Sequence, residues 1–246
     1  MSRQKMEKED KLNGKCSFCG ETFSKSTMTK HLNSCKQREI ISVEPSDKQK
    51  SKVRDNRIFH LVVEGRYQPE YWMHLDIPAD ATLYDLDNFL RDIWVECCGH
   101  LSAFTINDIE YEQDTEGGDT MWTMMFGGRK QVGSMNTYTG SVFYPGLKFH
   151  YEYDFGTTTH LSLRVVSERK EDIKDRSIRI LARNDPPQII CSMCRKLTAT
   201  QVCTQCIYDG SGWLCDKCAE KHECGEDMLL PVVNSPRVGM CGYTGD

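Results

Sequence analysis

Residues 191–224 carry three CxxC pairs, Cys191 with Cys194, Cys203 with Cys206 and Cys215 with Cys218, followed by His222 and Cys224. Two thiolates on a tight turn form half of a tetrahedral zinc site, and eight ligands are what two four-coordinate ions require. Two pairings are open. In a sequential one the first four cysteines close around one ion; in an interleaved one Cys191, Cys194, Cys215 and Cys218 share an ion while Cys203, Cys206, His222 and Cys224 share the other. A further set lies near the start of the chain, where Cys16 and Cys19 are followed by His31 and Cys35. The i, i+4 spacing of His31 and Cys35 sets two ligands one helical turn apart, and Phe23, Met28 and Leu32 supply a small core beneath them. Zinc, about three ions per chain, is therefore the expected cofactor. Sulfur-rich sets of four are closed and contribute folding energy, whereas a catalytic zinc keeps one position open. Tyr208, Trp213 and the loop between the knuckles are the expected exposed surface of the C-terminal module.

The remaining residues with chemical potential sit between these sets. His100, Asp154 and His160, with His150, are of types that form a metal or acid–base group if the fold brings them together, which would make a metal-dependent hydrolase or related enzyme. Against this, Asp154 lies where a strand gives way to a turn, and the Asp-Phe-Gly run suits a turn without any chemistry. Cys97 and Cys98 end a helix with apolar neighbours and are expected to be buried thiols. Cys241 is left over once eight C-terminal ligands are assigned, or replaces Cys224 in the second site.

These residues need elements to hold them. The 246 residues, 39% hydrophobic and 27% charged, suffice for one substantial core with small modules attached. No window approaches the roughly 18 apolar residues of a membrane helix, and MSRQKMEKEDKLNGK lacks the apolar run of a signal peptide, so the expected location is cytoplasmic, with no membrane partner. Thirteen cysteines in a reducing compartment then read as metal thiolates rather than disulfides. Charge is uneven: residues 1–57 hold 14 Lys/Arg against 8 Asp/Glu, while the whole chain carries −5. Only this N-terminal part has a sign suited to nucleic acid.

The polar stretch 37–56 reads as a linker between a finger at 1–36 and a domain at 57–184, with the two-zinc module and tail at 185–246. In the domain, IFHLVVEG and EYWMHLDIP form a hairpin. Thr82 caps a helix through LYDLDNFLRDIWVECC, stopped by Gly99, and LSAFTI, DIEYEQ, MWTMMFG, LKFHYEYDFG and HLSLRVVSE follow as strands. This order predicts an α+β fold, a β-grasp-like mixed sheet with one main helix.

The first ligand set resembles a two-cysteine, histidine-cysteine variant of the ββα zinc finger, its middle spacer one residue short. One finger of that kind contacts about 3 base pairs, so a structural or protein-binding knuckle is the first expectation. The C-terminal set is similar to ZZ-type and B-box modules, a likeness that implies the interleaved pairing. The runs from Ile58 to Ile106 and from Phe149 to Val166, with their Gly-His-Leu progression through His100 and Tyr-Asp-Phe-Gly at 153–156, resemble the plasmid pRiA open-reading-frame-three family, also labelled the insertion-element passenger TnpR family. The tail MLLPVVNSPRVGMCGYTG is similar to the end of its zinc-containing prokaryotic members. The resemblance implies a compact α+β domain linked to mobile elements and supplies no activity. A serine recombinase would need an N-terminal catalytic serine with a set of arginines around it on an α/β sheet, whereas this chain opens with a finger and a linker. Where many members carry Asp and Trp before the histidine, this chain has Thr157, Thr158 and Thr159. The resulting expectation is a non-enzymatic zinc protein whose partner is nucleic acid or protein.

Overall fold

The computed structural model describes residues 12–38, 55–113, 132–171 and 176–245; most of the expected linker and the MWTMMFG candidate lie outside these. The chain begins with a hairpin, β1 (Asn13–Cys16) and β2 (Thr22–Ser24), and a helix, α1 (Lys25–Leu32). The central domain follows with β3 (Arg57–Gly65), β4 (Trp72–Pro78), α2 (Leu83–Leu90), β5 (Ser102–Ile106), β6 (Ile109–Glu112), β7 (Val132–Ser134), the single turn α3 (Thr139–Val142), β8 (Lys148–Tyr153), β9 (Thr159–Lys170) and β10 (Arg179–Asn184). Ten strands join one sheet in the order β2-β1-β10-β4-β3-β9-β8-β5-β6-β7, antiparallel throughout except for β6 with β7. The fold is mixed α+β, with a large sheet and few helices.

Period-two alternation decides what each face of the sheet carries. Phe59, Leu61 and Val63 of β3, Met73, Leu75 and Ile77 of β4, and Leu161, Leu163 and Val165 of β9 form one core with Leu83, Leu86 and Leu90 of α2 and with Trp94. Burying each such side chain contributes about 1.5–3 kcal/mol. Helix α2 starts in a capping box: the Asp85 N–H donates to Thr82 Oγ1 at 3.1 Å, and the Thr82 N–H donates to Asp85 Oδ2 at 2.7 Å. The helix is shorter than the expected 83–98. Arg91–Val95 widens into a π turn, closed by the Glu96 N–H on the Arg91 carbonyl at 3.0 Å. Arg91 explains the change, because its guanidinium bonds Asp87 behind it and Glu96, the His100 carbonyl and Ser102 ahead. The turn keeps Trp94 in the core and sends Cys97 and Cys98 outward, so the expectation of two buried thiols fails: Cys97 is half-buried and Cys98 exposed.

The opposite face is covered at one end by the N-terminal finger. Strand β1 pairs with β10 in the register Gly14↔Asn184 and Cys16↔Ala182, so the finger hairpin is part of the sheet rather than a bead on a tether. Gly14 is required here, since a Cβ would sit 2.3 Å from the Arg183 carbonyl and 2.7 Å from the Trp72 ring. Trp72 and Leu181 pack against Met28 and Leu32 of α1. Beside them the carboxylate of buried Asp76 accepts bonds from Arg38 just after the finger, at 3.3 Å, and from Arg169 at 2.7 Å and Arg179 at 3.3 Å on the sheet.

His60 and His74 are buried under the finger with Nε2 of one 2.8 Å from Nδ1 of the other. Burial, then nearby arginines for His60 and the repulsion a protonated His60 would exert for His74, lowers each from 6.5 to about 3. Both rings are neutral in the fold, and the unfolded chain takes up protons first as pH falls. Their contribution to stability is complete above about pH 6.5 and declines from there toward about pH 3. Urea titrations of wild-type and His74→Gln protein should show the variant losing less stability between pH 6.5 and 5.5, over which zinc retention is monitored in both; equal losses would contradict this.

Candidate metal centres

Four groups of ligand atoms, within 4.8 Å of one another in each group, gather all thirteen cysteines of the chain with His31, His100 and His222. Thiolates bound at about 2.3 Å to a tetrahedral zinc ion stand about 3.8 Å apart, and a thiolate and an imidazole nitrogen about 3.6 Å. The separations within each group compare directly with those two lengths.

In the finger, Cys16 Sγ and Cys35 Sγ are 3.9 Å apart, and Cys19 Sγ and His31 Nε2 3.4 Å. The β1–β2 turn carries the first two ligands, with backbone N–H groups of Phe18 and Cys19 on the Cys16 sulfur. The end of α1 carries His31, whose ring stacks on Phe23 with centroids 3.8 Å apart. A knuckle and a helix end thus meet over a core of a few side chains, and the donor set fits one zinc ion.

The C-terminal module is built on a second sheet of β11 (Gln201–Cys203), β12 (Trp213–Leu214) and β13 (Leu229–Pro231), with one helical turn, α4 (Asp216–Ala219), between β12 and β13. Its eight ligands meet in the interleaved way. Cys191, Cys194, Cys215 and Cys218 form one group and Cys203, Cys206, His222 and Cys224 the other. The cause is local pairing: the Ser192 N–H donates to the Trp213 carbonyl at 2.7 Å and the Thr200 N–H to the Leu214 carbonyl at 2.9 Å, which sets the first knuckle beside Cys215 and leaves the second beyond it. Cys194 and Cys215 sulfurs are 3.9 Å apart; Cys206 Sγ is 3.6 Å from both His222 Nε2 and Cys224 Sγ. Burial resists ionisation of Cys191, yet backbone N–H groups of Cys194, Cys215 and Met193 bring it down to about 6. Cys203 is likewise brought to about 7 by the N–H groups of Cys206 and Gln205 against its burial. At Cys191 and Cys203 these N–H groups favour the thiolate, the form that ligates a metal. Tyr208 is exposed as expected, whereas Trp213 is partly buried against the central core.

The fourth group was not anticipated. Cys97 and Cys98 after the π turn, His100, and Cys241 of the tail converge, so Cys241 neither stands alone nor replaces Cys224. Only the sequence neighbourhood of Cys97, Cys98 and His100 hinted at it, since 143 positions separate Cys98 from Cys241.

The hydrolase candidates do not assemble as a unit. His100 Nε2 comes within 3.5 Å of Asp154 Oδ2. His160 pairs with Glu152 across β8 and β9, Nδ1 to Oε1 at 3.0 Å. It points to the face opposite Thr159 and Leu161, and His150 shares its side of the sheet. Asp154 itself lies at φ 65°, its Oδ1 accepting the Gly156 N–H at 3.0 Å, and its Oδ2 accepts from Arg237 at 2.8 Å.

No protein-family model matches the chain, and neither does any curated protein. One solved structure similar to it is the protein of unknown function MM3350 from Methanosarcina mazei Go1, at 18% identity and a TM-score of 0.44, covering 54% of this chain and 72% of that one.

The interleaved grouping has a distinctive consequence. Replacing Cys191 and Cys215 together should remove one zinc ion per chain by elemental analysis, because both belong to the same group; a loss of two ions would mean sequential sites.

Proposed function

We propose that the chain is a non-enzymatic, zinc-organised factor that binds nucleic acid with its finger and the neighbouring sheet face. Metal here would be structural. The closed, sulfur-rich ligand sets hold short segments in shape and leave no open coordination position.

One observation carries the choice of partner. Between α1 and the uncovered part of the sheet runs a groove of ≈ 600 Å³, lined by Lys25, Ser26 and Thr29 of the finger and by Lys148, His150 and Arg164 of β8 and β9. Lys25 is engaged with Glu64. Lys148 and Arg164, in contrast, stand directly opposite one another across the strands, both exposed. Two like charges in that position repel, and a phosphate between them would convert the repulsion into attraction. The groove runs alongside the finger helix, and the basic segment of residues 1–57 adds the same sign of charge. The cytoplasm is the proposed setting. The resemblance of residues 57–167 to the pRiA open-reading-frame-three family extends the proposal to a role beside mobile elements.

Fluorescence anisotropy with labelled single- and double-stranded oligonucleotides, at several salt concentrations, tests this. Affinity should fall steeply with salt, and Lys148→Gln with Arg164→Gln should weaken binding about tenfold and flatten the salt slope by about 2. Unchanged affinity in the double variant would remove the groove from the interface; absent or salt-independent binding would transfer the function to protein partners.

A further inference from the structure

We propose that Cys97, Cys98, His100 and Cys241 bind a fourth zinc ion, more readily exchanged than the other three, which fastens the C-terminal tail to the turn after α2. This site is independent of the nucleic-acid reading above and lies outside the ligand sets that spacing reveals.

The donor geometry matches a tetrahedral ion. Cys97 and Cys98 sulfurs are 3.5 Å apart, Cys98 and Cys241 sulfurs 3.7 Å, and His100 Nε2 lies 3.0 Å from Cys98 Sγ and 3.2 Å from Cys241 Sγ. Zinc requires about 3.8 Å and 3.6 Å for these two kinds of edge, so an ion would open the cluster slightly at the imidazole and leave the sulfurs almost where they are. Adjacent cysteines are rarely ligands of one ion because successive side chains diverge. The π turn and the left-handed Gly99, at φ 75°, bend the chain enough to bring them together. Cys241 itself adopts φ 47°, a conformation unfavourable for a residue with a Cβ, followed by Gly242 at φ 71°. Strain of that kind persists where an interaction holds it, and the cluster is the interaction Cys241 makes.

Charge supplies a second argument. Three thiolates and a neutral imidazole around Zn²⁺ leave a net charge of about −1. Arg237, fully buried, lies beside the cluster with Nη2 3.3 Å from Cys97 Sγ and 2.8 Å from Asp154 Oδ2. A buried guanidinium requires anions, and Asp154 with a metal thiolate at Cys97 would satisfy it from two sides. The same bond keeps Asp154 committed to Arg237, so the carboxylate 3.5 Å from His100 serves as a neighbour of the site rather than a ligand. Tyr153 completes the frame, its hydroxyl accepting the N–H groups of Cys97 at 3.4 Å and His100 at 3.3 Å. The Gly-His run, the Tyr-Asp-Phe-Gly run and the tail, separated along the chain, thus meet at one place.

Exchangeability follows from burial. Each of the other groups has at least one buried cysteine; this one has none, and Cys98 and Cys241 are exposed. Chelators reach such a site first. An ion there would extend the tail's anchorage outward, since Cys241 lies just beyond Arg237 and Val238, both buried, and Ser235, which donates to the Trp94 carbonyl at 2.6 Å.

Elemental analysis of the full chain should give about four zinc ions, falling to about three in Cys241→Ser and in His100→Ala. Timed exposure to EDTA, followed by alkylation and peptide mapping, should label Cys98 and Cys241 of the wild-type protein before any other cysteine. Loss of the first ion should speed tryptic cleavage after Arg237 at least tenfold. The alkylation order is read on the unaltered chain and so holds even if a variant fails to fold. Three ions in the wild-type protein, a Cys98–Cys241 disulfide in its place, or release of this group last would each overturn the proposal. Oligonucleotide binding unchanged in Cys241→Ser keeps the result separate from the groove.

Discussion

The finger and the C-terminal module are too short to bury a core of their own, and that limit shapes the molecule. The finger encloses Met28 and Leu32 with help from Trp72 and Leu181, which belong to the central sheet. The C-terminal sheet covers little beyond Leu214 and Ala219. Apolar burial at this scale does not offset the ordering of some thirty residues, at about 1–2 kcal/mol each for the backbone. Clustered thiolates are the available substitute, since a metal bound only by the folded arrangement adds its binding free energy to folding. With metal in these clusters, as proposed, domain and modules would differ in what holds them: apolar layers in the first, chiefly ligand geometry in the second.

Pairing and ion pairs join these regimes. Strand β1 is at once half of the finger and a neighbour of β10, so the finger's orientation on the sheet is fixed by backbone hydrogen bonds. Asp76 gathers arginines from the finger's end and from two strands. At the other end, Trp94 donates from Nε1 to the Asn234 carbonyl at 3.1 Å, and Arg183 of β10 reaches the same carbonyl at 2.6 Å. The tail is thereby stitched to both layers.

How much of this could be read beforehand depended on how local each cause is. A CxxC pair is a property of four residues, and so the three evident ligand sets were legible, as was the Thr82 cap. Apolar, β-prone runs between turns make β3, β4, β8 and β9 legible for the same reason. The end of α2 is not legible locally, because the helical spacing of Ile93 and Trp94 continues into a π turn that Arg91 braces through contacts as far ahead as Ser102. Trp213 looked like a surface residue beside its knuckle, yet packs on a core formed elsewhere. The union of Cys98 with Cys241 had no signature at all, since neither sits at a recognisable ligand interval from the other.

Strand β10 carries a final implication. Its outer edge, Asn184 to Ala182, is covered by the hairpin strand of Gly14, Lys15 and Cys16, which carries one of the finger's candidate ligands. On the proposed reading, in which zinc holds the finger, a cell short of that metal would uncover N–H and carbonyl groups of this edge beside Trp72. Such an open edge invites another chain to add a strand, and the damage from metal starvation would then be measured in aggregates rather than in a missing finger.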